Sequence, residues 1–227
     1  MRLKVIRNTV LFFFVIGIGS VFNEYYKIAV DSKRSVYSLF AAIAEENSDS
    51  NVVEMVVGDM EAPISLVEYA SYTCIHCADF QKNIYPLLKE NYIDKGKVRF
   101  TYREVYFHRY GLWASVVARC GNDDQKLFFG LTDLIYEKRD DWINSDNDDL
   151  LVLDELKKIG KIVGLSEDKL KSCIDDTAKI KNLVEWYRGN IKRDEISATP
   201  TLLVNGEKFK VNSYEQLASF LDEILSQ

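Results

Sequence analysis

The sequence predicts an α/β domain that carries an all-helical insertion. Strand-like apolar runs occur in two separate parts of the chain, residues 52–108 and 189–227. Between them, at about 109–188, the apolar residues follow helical spacing. Because the strands on both sides of this region must pair in one sheet, the region is predicted to be a helical subdomain inserted into an α/β core.

The first part of the core is predicted to contain three strands and one helix. The run NVVEMVVGD reads as a short strand, Ile64–Ala70 as a strand buried on both faces, and KVRFTYREV as an alternating third strand. Helical spacing begins after the second strand, and Pro86 is expected to kink this helix. The apolar stripe of the helix is Cys77, Phe80, Ile84, Leu87 and Leu88.

The remaining elements follow from spacing and capping patterns. Helical periodicity extends from Trp113 to about Tyr187, and Ser166 with acidic residues after it is a helix-start signal. TPTLLVNGEKFK predicts a hairpin that turns at Asn205-Gly206. The last helix opens at Ser213 with Gln216 three residues on, which predicts a capping box.

Residues 1–22 have the pattern of a targeting segment. Three basic residues precede Val10–Phe22, an uncharged apolar run that is shorter than the ~20 residues needed to span a bilayer. The segment is interpreted as a cleaved signal peptide or an uncleaved signal-anchor, either of which exports the rest of the chain. The third alternative is a buried core helix. Residues 23–51 are interpreted as a linker, so the folded domain is predicted at 52–227.

The charge distribution argues against nucleic-acid binding. The formal net charge is −6, and residues 1–34 contribute +4 (six basic residues against two acidic), which leaves −10 on the remainder. Nucleic-acid binding needs a basic surface. We therefore expect no nucleic-acid partner.

Cys74 and Cys77 form a Cys-x-x-Cys pair where the buried second strand meets the first helix. A thiolate at a helix N-terminus is stabilised by free N–H groups, so the pKa of Cys74 is expected to be low. Cys77 lies on the apolar stripe and is expected to be shielded. His76 supplies a donor or a positive charge beside the Cys74 sulfur. One exposed nucleophile and one buried thiol favour a redox pair over a merely structural local disulfide.

The alternative role for the pair is metal binding. A structural zinc site usually takes four ligands, from two Cys-x-x-Cys pairs or from histidines at short spacing. The chain has two histidines, His76 and His108, and its other two cysteines stand alone. We therefore expect no metal, and no other cofactor. His108 follows the third strand and is more readily a structural histidine than a catalytic one.

The segments LVEYASYTCIHC and SATPTLLVNG, with the helical region between them, resemble the DsbA family of thioredoxin-fold thiol–disulfide oxidoreductases. The resemblance covers about Val52 to Leu225. It implies a thioredoxin fold with an inserted helical subdomain, in which Cys74 is the nucleophile and Cys77 its partner. It also implies that Pro200 is the family's cis-proline, that the Thr199 backbone pairs with a client peptide, and that Glu68 is a buried acid assisting proton transfer.

Two features depart from the family's best-known oxidases. The dipeptide between the cysteines is Ile75-His76, where those enzymes have Pro-His, which leaves the redox potential open. The second feature is the pair Cys120 and Cys173, each on an apolar helical stripe. They are either two inert buried thiols or a disulfide of the oxidising compartment. The second reading resembles the structural bond of some alphaproteobacterial DsbA-like proteins.

These observations predict an exported, periplasmic enzyme that introduces disulfides into other proteins. Its expected partners are reduced or unfolded exported proteins and a membrane quinone-linked re-oxidase, with membrane contact possible through residues 9–22. The rival readings are a disulfide isomerase or reductase of the same fold, and a membrane-tethered metal-binding assembly chaperone.

Overall fold

The computed structural model describes residues 52–122, 124–143 and 148–227. The predicted leader (1–22) and linker (23–51) lie outside these residues. Within the described part, one sheet contains the strands β1 (Met55–Val57), β2 (Ile64–Ala70), β3 (Val98–Glu104), β4 (Thr201–Val204) and β5 (Glu207–Phe209). The spatial order is β1-β3-β2-β4-β5, with β2 and β3 parallel and the other neighbours antiparallel.

β2 is the central strand, and its side chains are covered on both faces. It pairs with β3 on one side and with β4 on the other. Ile64, Leu66 and Ala70 have no exposed surface, as the almost continuous apolar run predicts. Glu68 is equally buried and is the one acidic side chain on the strand. Burying an ionisable side chain in the middle of a central strand is energetically costly, so its presence there indicates a function.

The helices lie in three groups along the chain. After β2 come α1 (Ile75–Asn83), α2 (Tyr85–Leu88) and a π-helical turn (Lys89–Ile93). The last helix, α9 (Tyr214–Leu225), follows β5. Between β3 and β4 the described helices are α3 (Arg109–Ala118), a 3₁₀ turn (Arg119–Gly121), α4 (Gln125–Glu137), α5 (Arg139–Ile143), α6 (Asp149–Ile162), α7 (Glu167–Ile174) and α8 (Thr177–Arg193). The fold is therefore a thioredoxin-like α/β core with a helical insertion.

The predicted helix after Cys74 is interrupted rather than only kinked. α1 ends at Asn83, and Pro86 lies in the first turn of α2, where its missing N–H costs nothing. The break also changes the phase of the buried face. Tyr85 and Leu88 are buried, whereas Leu87 is 40% exposed, so its place in the predicted apolar stripe was wrong.

The capping and turn patterns have the expected local structure, with one difference. Asn205 and Gly206 both have positive φ, 51° and 88°, as a two-residue hairpin turn requires. The Ser213 hydroxyl accepts the Gln216 N–H and caps α9. The Gln216 side chain, however, accepts the N–H of Asn212 at 3.0 Å rather than that of Ser213.

The insertion packs on the sheet through a buried cluster of tyrosines. The ring centroids of Tyr102 and Tyr136 lie 5.7 and 5.2 Å from that of Tyr72. Their hydroxyl groups are paired: Tyr102 with Tyr136, and Tyr72 with Thr132, both at 2.8 Å. Shared hydrogen bonds let these polar rings fill the core without unsatisfied groups.

No helix among residues 52–122, 124–143 and 148–227 is both long enough and apolar enough to cross a bilayer.

Candidate active site

Cys74 is the N-cap residue of α1, directly after the loop that follows β2. Its sulfur is partly buried, whereas Cys77, one turn into the helix, has no exposed surface. Both are free thiols, so the structure represents the reduced pair. Of the two residues between them, Ile75 is 52% exposed and His76 also faces solvent. Only one sulfur is therefore accessible to another protein.

The surroundings of Cys74 lower its pKa to about 5. The largest cause is a hydrogen bond with the Cys77 thiol, which outweighs the opposing effect of partial burial. The Thr199 side chain and the backbone N–H groups of Cys77 and His76 lower the pKa further. These N–H groups are the free donors of the α1 N-terminus, the groups that the sequence predicts to stabilise a Cys74 thiolate.

Cys77 has the opposite character. Burial raises its pKa strongly, and the hydrogen bond to Cys74 and the charge of Glu68 raise it further. Burial, and then the charge of Cys74, also hold the pKa of Glu68 well above its ordinary value. The Glu68 Oε2 atom has no hydrogen-bond partner among the described residues. A carboxyl group whose charged form is disfavoured by burial therefore lies near the buried thiol.

Thr199 and Pro200 reach the site because β4 pairs with β2. Thr201 pairs with Tyr69 at the end of β2 next to the Cys74 loop, so the residues before Thr201 lie against that loop. The Thr199–Pro200 peptide bond is cis. The Cys74 thiol donates to the Thr199 carbonyl oxygen at 3.4 Å. The Thr199 hydroxyl is buried without another partner in the described structure, which leaves it free to donate to the thiolate.

A groove of about 720 Å³ extends from this loop along α1. Its lining includes His76, Phe80 and Leu87 on the α1–α2 side and Pro200 and Tyr214 on the other side. The exposed Leu87 is therefore part of an open surface next to the reactive sulfur. His108 is an exposed N-cap residue of α3, and its ring packs edge-on against Tyr110 at 5.5 Å, as a structural histidine would.

One contact of the site has no signal in the sequence. Arg139, at the start of α5, donates to the Thr73 carbonyl oxygen at 2.9 Å. Thr73 precedes Cys74, so the insertion holds the cysteine loop from outside the core. The two residues are 66 positions apart, and neither belongs to a motif.

The cysteines outside the site are bonded to each other. Cys120, in the 3₁₀ turn after α3, and Cys173, in α7, form a disulfide with Cα atoms 5.7 Å apart. Both residues are buried, at 0% and 7% exposure. In the described residues, no group of three or more His, Cys, Asp or Glu side chains is arranged to hold a metal ion.

Comparisons with known proteins give the same picture over most of the chain. The sequence profile of the thioredoxin family matches residues 50–223. The chain is 30% identical over 174 residues to a Rickettsia bellii protein provisionally named protein-disulfide oxidoreductase; the match covers 77% of this chain and 65% of that protein, less than two thirds of its length. It is 27% identical to disulfide bond formation protein D of Bacillus subtilis, covering 75% of this chain and 76% of that protein.

A solved structure extends the likeness to the insertion. The crystal structure of Wolbachia pipientis alpha-DsbA1 superposes with a TM-score of 0.70 at 28% identity, and it covers 76% of this chain and 91% of the Wolbachia chain. A match of that extent includes the core and the helices between β3 and β4. The chain therefore belongs to the thioredoxin family, as a DsbA-like member.

Proposed function

We propose that the protein is a thiol–disulfide oxidoreductase that introduces disulfide bonds into exported proteins. The observation that carries this proposal is the asymmetry of the two thiols: Cys74 is partly exposed with a pKa of about 5, and Cys77 is buried with a raised pKa. Stabilising the Cys74 thiolate stabilises the reduced protein, which makes the oxidised form a stronger oxidant.

In the first step, a client thiolate attacks the Cys74 Sγ of the Cys74–Cys77 disulfide. A client–Cys74 disulfide forms, and Cys77 leaves with the electron pair of the broken bond. Because Cys77 is buried and its pKa is high, it must take up a proton. Glu68, whose pKa is raised by burial and by the charge of Cys74, is the residue we assign as the donor.

In the second step, the client's other thiolate attacks the client sulfur that is bonded to Cys74. The client disulfide forms and Cys74 leaves as a thiolate, which is favourable because its pKa is low. The client has then lost two electrons and two protons. The backbone N–H group of His76 is one of the donors that stabilise the leaving thiolate. The imidazole ring of His76 is exposed, where a bound client can contact it.

The Thr199–Pro200 loop is proposed to hold the client during these steps. An extended client segment can pair with the Thr199 backbone as an added strand, next to the groove that contains Pro200.

Export and re-oxidation complete the proposal. The pattern of residues 1–22 supports an exported, periplasmic protein, with contact to the inner membrane through residues 9–22 if this segment is retained. The reduced pair must return two electrons to an acceptor, and a membrane quinone-linked re-oxidase is the proposed class. Clients are reduced or unfolded exported proteins.

The first prediction tests this mechanism directly. Purified oxidised protein is expected to oxidise a reduced two-cysteine peptide stoichiometrically, and Cys74→Ser is expected to abolish this because no sulfur is left for attack. Peptide oxidation is measured by mass after acid quenching and alkylation. The matched control is Ser226→Ala, a change at the C-cap of α9, far along the chain from the site.

Full peptide oxidation by Cys74→Ser would contradict the proposal. So would a wild-type protein that holds its disulfide unchanged in excess reduced peptide.

A further inference from the structure

The loop before Cys74, Ser71–Thr73, is held by two helices of the insertion. Gly111 of α3 lies so close that a Cβ atom there would be 3.4 Å from the Ser71 Oγ atom. Arg139 of α5 donates through Nη2 to the Thr73 carbonyl oxygen at 2.9 Å. The Gly111 contact involves a side chain of the loop, whereas the Arg139 contact is made to the backbone directly before the reactive cysteine.

The peptide group between Thr73 and Cys74 is fixed on both of its edges. Its N–H group, on Cys74, donates to the Ser71 carbonyl oxygen at 3.0 Å. Its C=O group, on Thr73, accepts the hydrogen bond of Arg139. Because a peptide group is planar and includes the next Cα atom, two hydrogen bonds on opposite edges determine where the Cys74 side chain begins. The position of the Cys74 sulfur therefore depends on the contact with Arg139.

Packing alone does not explain an arginine at position 139. Its side chain is 16% exposed, and its Nε atom is buried without a hydrogen-bond partner among the described residues. A buried donor without a partner destabilises a fold. The Nη1 atom donates to Asp140 at 3.1 Å, but the Asp140 side chain is 81% exposed, and an ion pair with so exposed a group stabilises little. The contact with Thr73 is the one that accounts for the residue.

The position of the Cys74 sulfur matters more in the reduced protein than in the oxidised protein. In the oxidised protein, the covalent bond to Cys77 holds the sulfur. In the reduced protein, hydrogen bonds stabilise the thiolate, and they come from the Cys77 thiol, the Thr199 side chain and the backbone N–H groups at the start of α1. Hydrogen bonds weaken steeply when donor and acceptor are misaligned. A contact that orients Cys74 therefore favours the reduced form.

We propose that Arg139 is a positioning residue of the redox pair, which holds the Cys74 sulfur at the N-terminus of α1 through the Thr73 carbonyl group. The inference rests on the function proposed above for Cys74 and Cys77, and it adds the means by which the insertion acts on their chemistry. Because Arg139 stabilises the reduced protein, it makes the oxidised protein a stronger oxidant.

The test measures the equilibrium between the Cys74–Cys77 pair and glutathione at pH 7. Two glutathione thiols become glutathione disulfide, and their two electrons reduce the Cys74–Cys77 bond. One of their two protons goes to Cys77 and the other to solvent, because Cys74 remains a thiolate. The fraction of Cys74–Cys77 disulfide is read by acid quenching, alkylation and peptide mass.

Arg139→Met is expected to lower the equilibrium constant for reduction of the protein about fivefold, the scale of one hydrogen bond. The pKa of Cys74, followed by thiolate absorbance, is expected to rise in the same variant. A merely structural role would move neither quantity, because it would destabilise the oxidised and the reduced protein equally.

Two further variants separate position from charge. Lys82→Met removes an exposed positive charge from α1, in a groove that Arg139 also lines, and should change the equilibrium constant less than about twofold because exposed charges are screened. Arg139→Lys keeps the charge but lacks the planar fork that reaches Asp140 and Thr73 together. It is expected to shift the equilibrium in the same direction as Arg139→Met by a smaller factor.

A wild-type equilibrium in folded Arg139→Met would overturn this inference, and if that variant does not fold, a wild-type equilibrium in Arg139→Lys would do so. An equal shift in Lys82→Met would also overturn it, because charge rather than position would then set the equilibrium. Failure of the wild type to oxidise client peptides would count against the proposed function alone, since exchange with glutathione needs no client.

Discussion

At the scale of single residues, the site depends on two cysteines that share a helix but have different surroundings. Cys74 accepts hydrogen bonds from the backbone N–H groups at the start of α1 and from the Thr199 side chain, whereas Cys77 is buried in the core near Glu68. The pKa of one thiol is lowered and that of the other is raised. In the proposed mechanism, this difference makes the exposed sulfur the one that a client thiolate attacks and the buried sulfur the one that leaves.

The ionisation of Cys74 should appear in the stability of the reduced protein. Its folded pKa is about 5, below the ordinary value of about 8.5, so the unfolded state binds more protons between these values. The free energy of unfolding of reduced wild type, relative to reduced Cys74→Ser, is therefore expected to rise from pH 5 to 8.5 and to be flat below 5. Urea unfolding at a series of pH values with excess phosphine measures it.

The same experiment has an internal control. The reductant acts equally on Cys120–Cys173 in both proteins, so its effect cancels in the difference. Thr199→Val removes a hydroxyl that lowers the Cys74 pKa. The pH range over which the free energy of unfolding rises should therefore become narrower. Parallel stability curves for wild type and Cys74→Ser would contradict the low pKa.

At the scale of elements, one buried ion pair connects the insertion to the sheet. Arg119, in the turn after α3, binds both carboxylate oxygens of Glu104 at the end of β3 and donates to the Val53 carbonyl oxygen at 2.9 Å. Its guanidinium also lies over the rings of Phe128 in α4 and Trp186 in α8. Both charged groups are almost completely buried, so neither can be compensated by water.

Removing one partner of this pair should strongly lower the free energy of unfolding. Arg119→Leu leaves the Glu104 carboxylate buried without a counter-ion, and we expect a loss of about 3–5 kcal/mol in the free energy of unfolding. Urea unfolding followed by circular dichroism measures the loss. Lys89→Met, which breaks the exposed Lys89–Asp94 pair, is the control and should cost less than about 1 kcal/mol. Similar losses in the two variants would contradict this account of Arg119.

At the scale of the whole molecule, the proposed catalytic sulfurs and the sulfurs of the disulfide belong to different regions. Cys74 and Cys77 lie where β2 meets α1, whereas Cys120–Cys173 joins the turn after α3 to α7 and closes a sequence separation of 53 residues. Both cysteines of the structural bond lie in the helical insertion between β3 and β4. The expected effect of the bond is on stability rather than on chemistry.

This separation predicts the behaviour of the Cys120→Ala, Cys173→Ala double variant. Losing a cross-link of this separation should lower the free energy of unfolding by about 4 kcal/mol, because the unfolded chain regains its freedom. Oxidation of a reduced peptide, measured below the unfolding transition, should continue at the wild-type rate. A folded double variant with a much slower rate would show that the bond also acts on the site.

Much of this arrangement could be predicted from the sequence, because local patterns reflect local physics. β2, the Asn205-Gly206 turn and the Ser166 cap are each determined by a few neighbouring residues. The Cys-x-x-Cys pair was equally visible.

The exposure of Leu87 could not be predicted, because it depends on how the chain restarts its helix at Pro86. Glu68 and Thr199 were identified as site residues only through the family resemblance, since tertiary packing brings them to Cys74. The contact of Arg139 with Thr73 had no sequence signal at all, because it arises where the insertion meets the loop before α1.

The pairing of β4 with β2 also has a consequence for the order in which the site is made. The Cys74 sulfur and the Thr199 carbonyl oxygen are in contact across 125 residues of chain. The segment that contains Cys74 and Cys77 therefore does not form their surroundings by itself. Until β4 pairs with β2, Cys74 lacks its contact with Thr199, and Glu68 lacks its neighbour Leu202. The full difference in acidity between the two thiols is therefore expected only after these distant segments have paired.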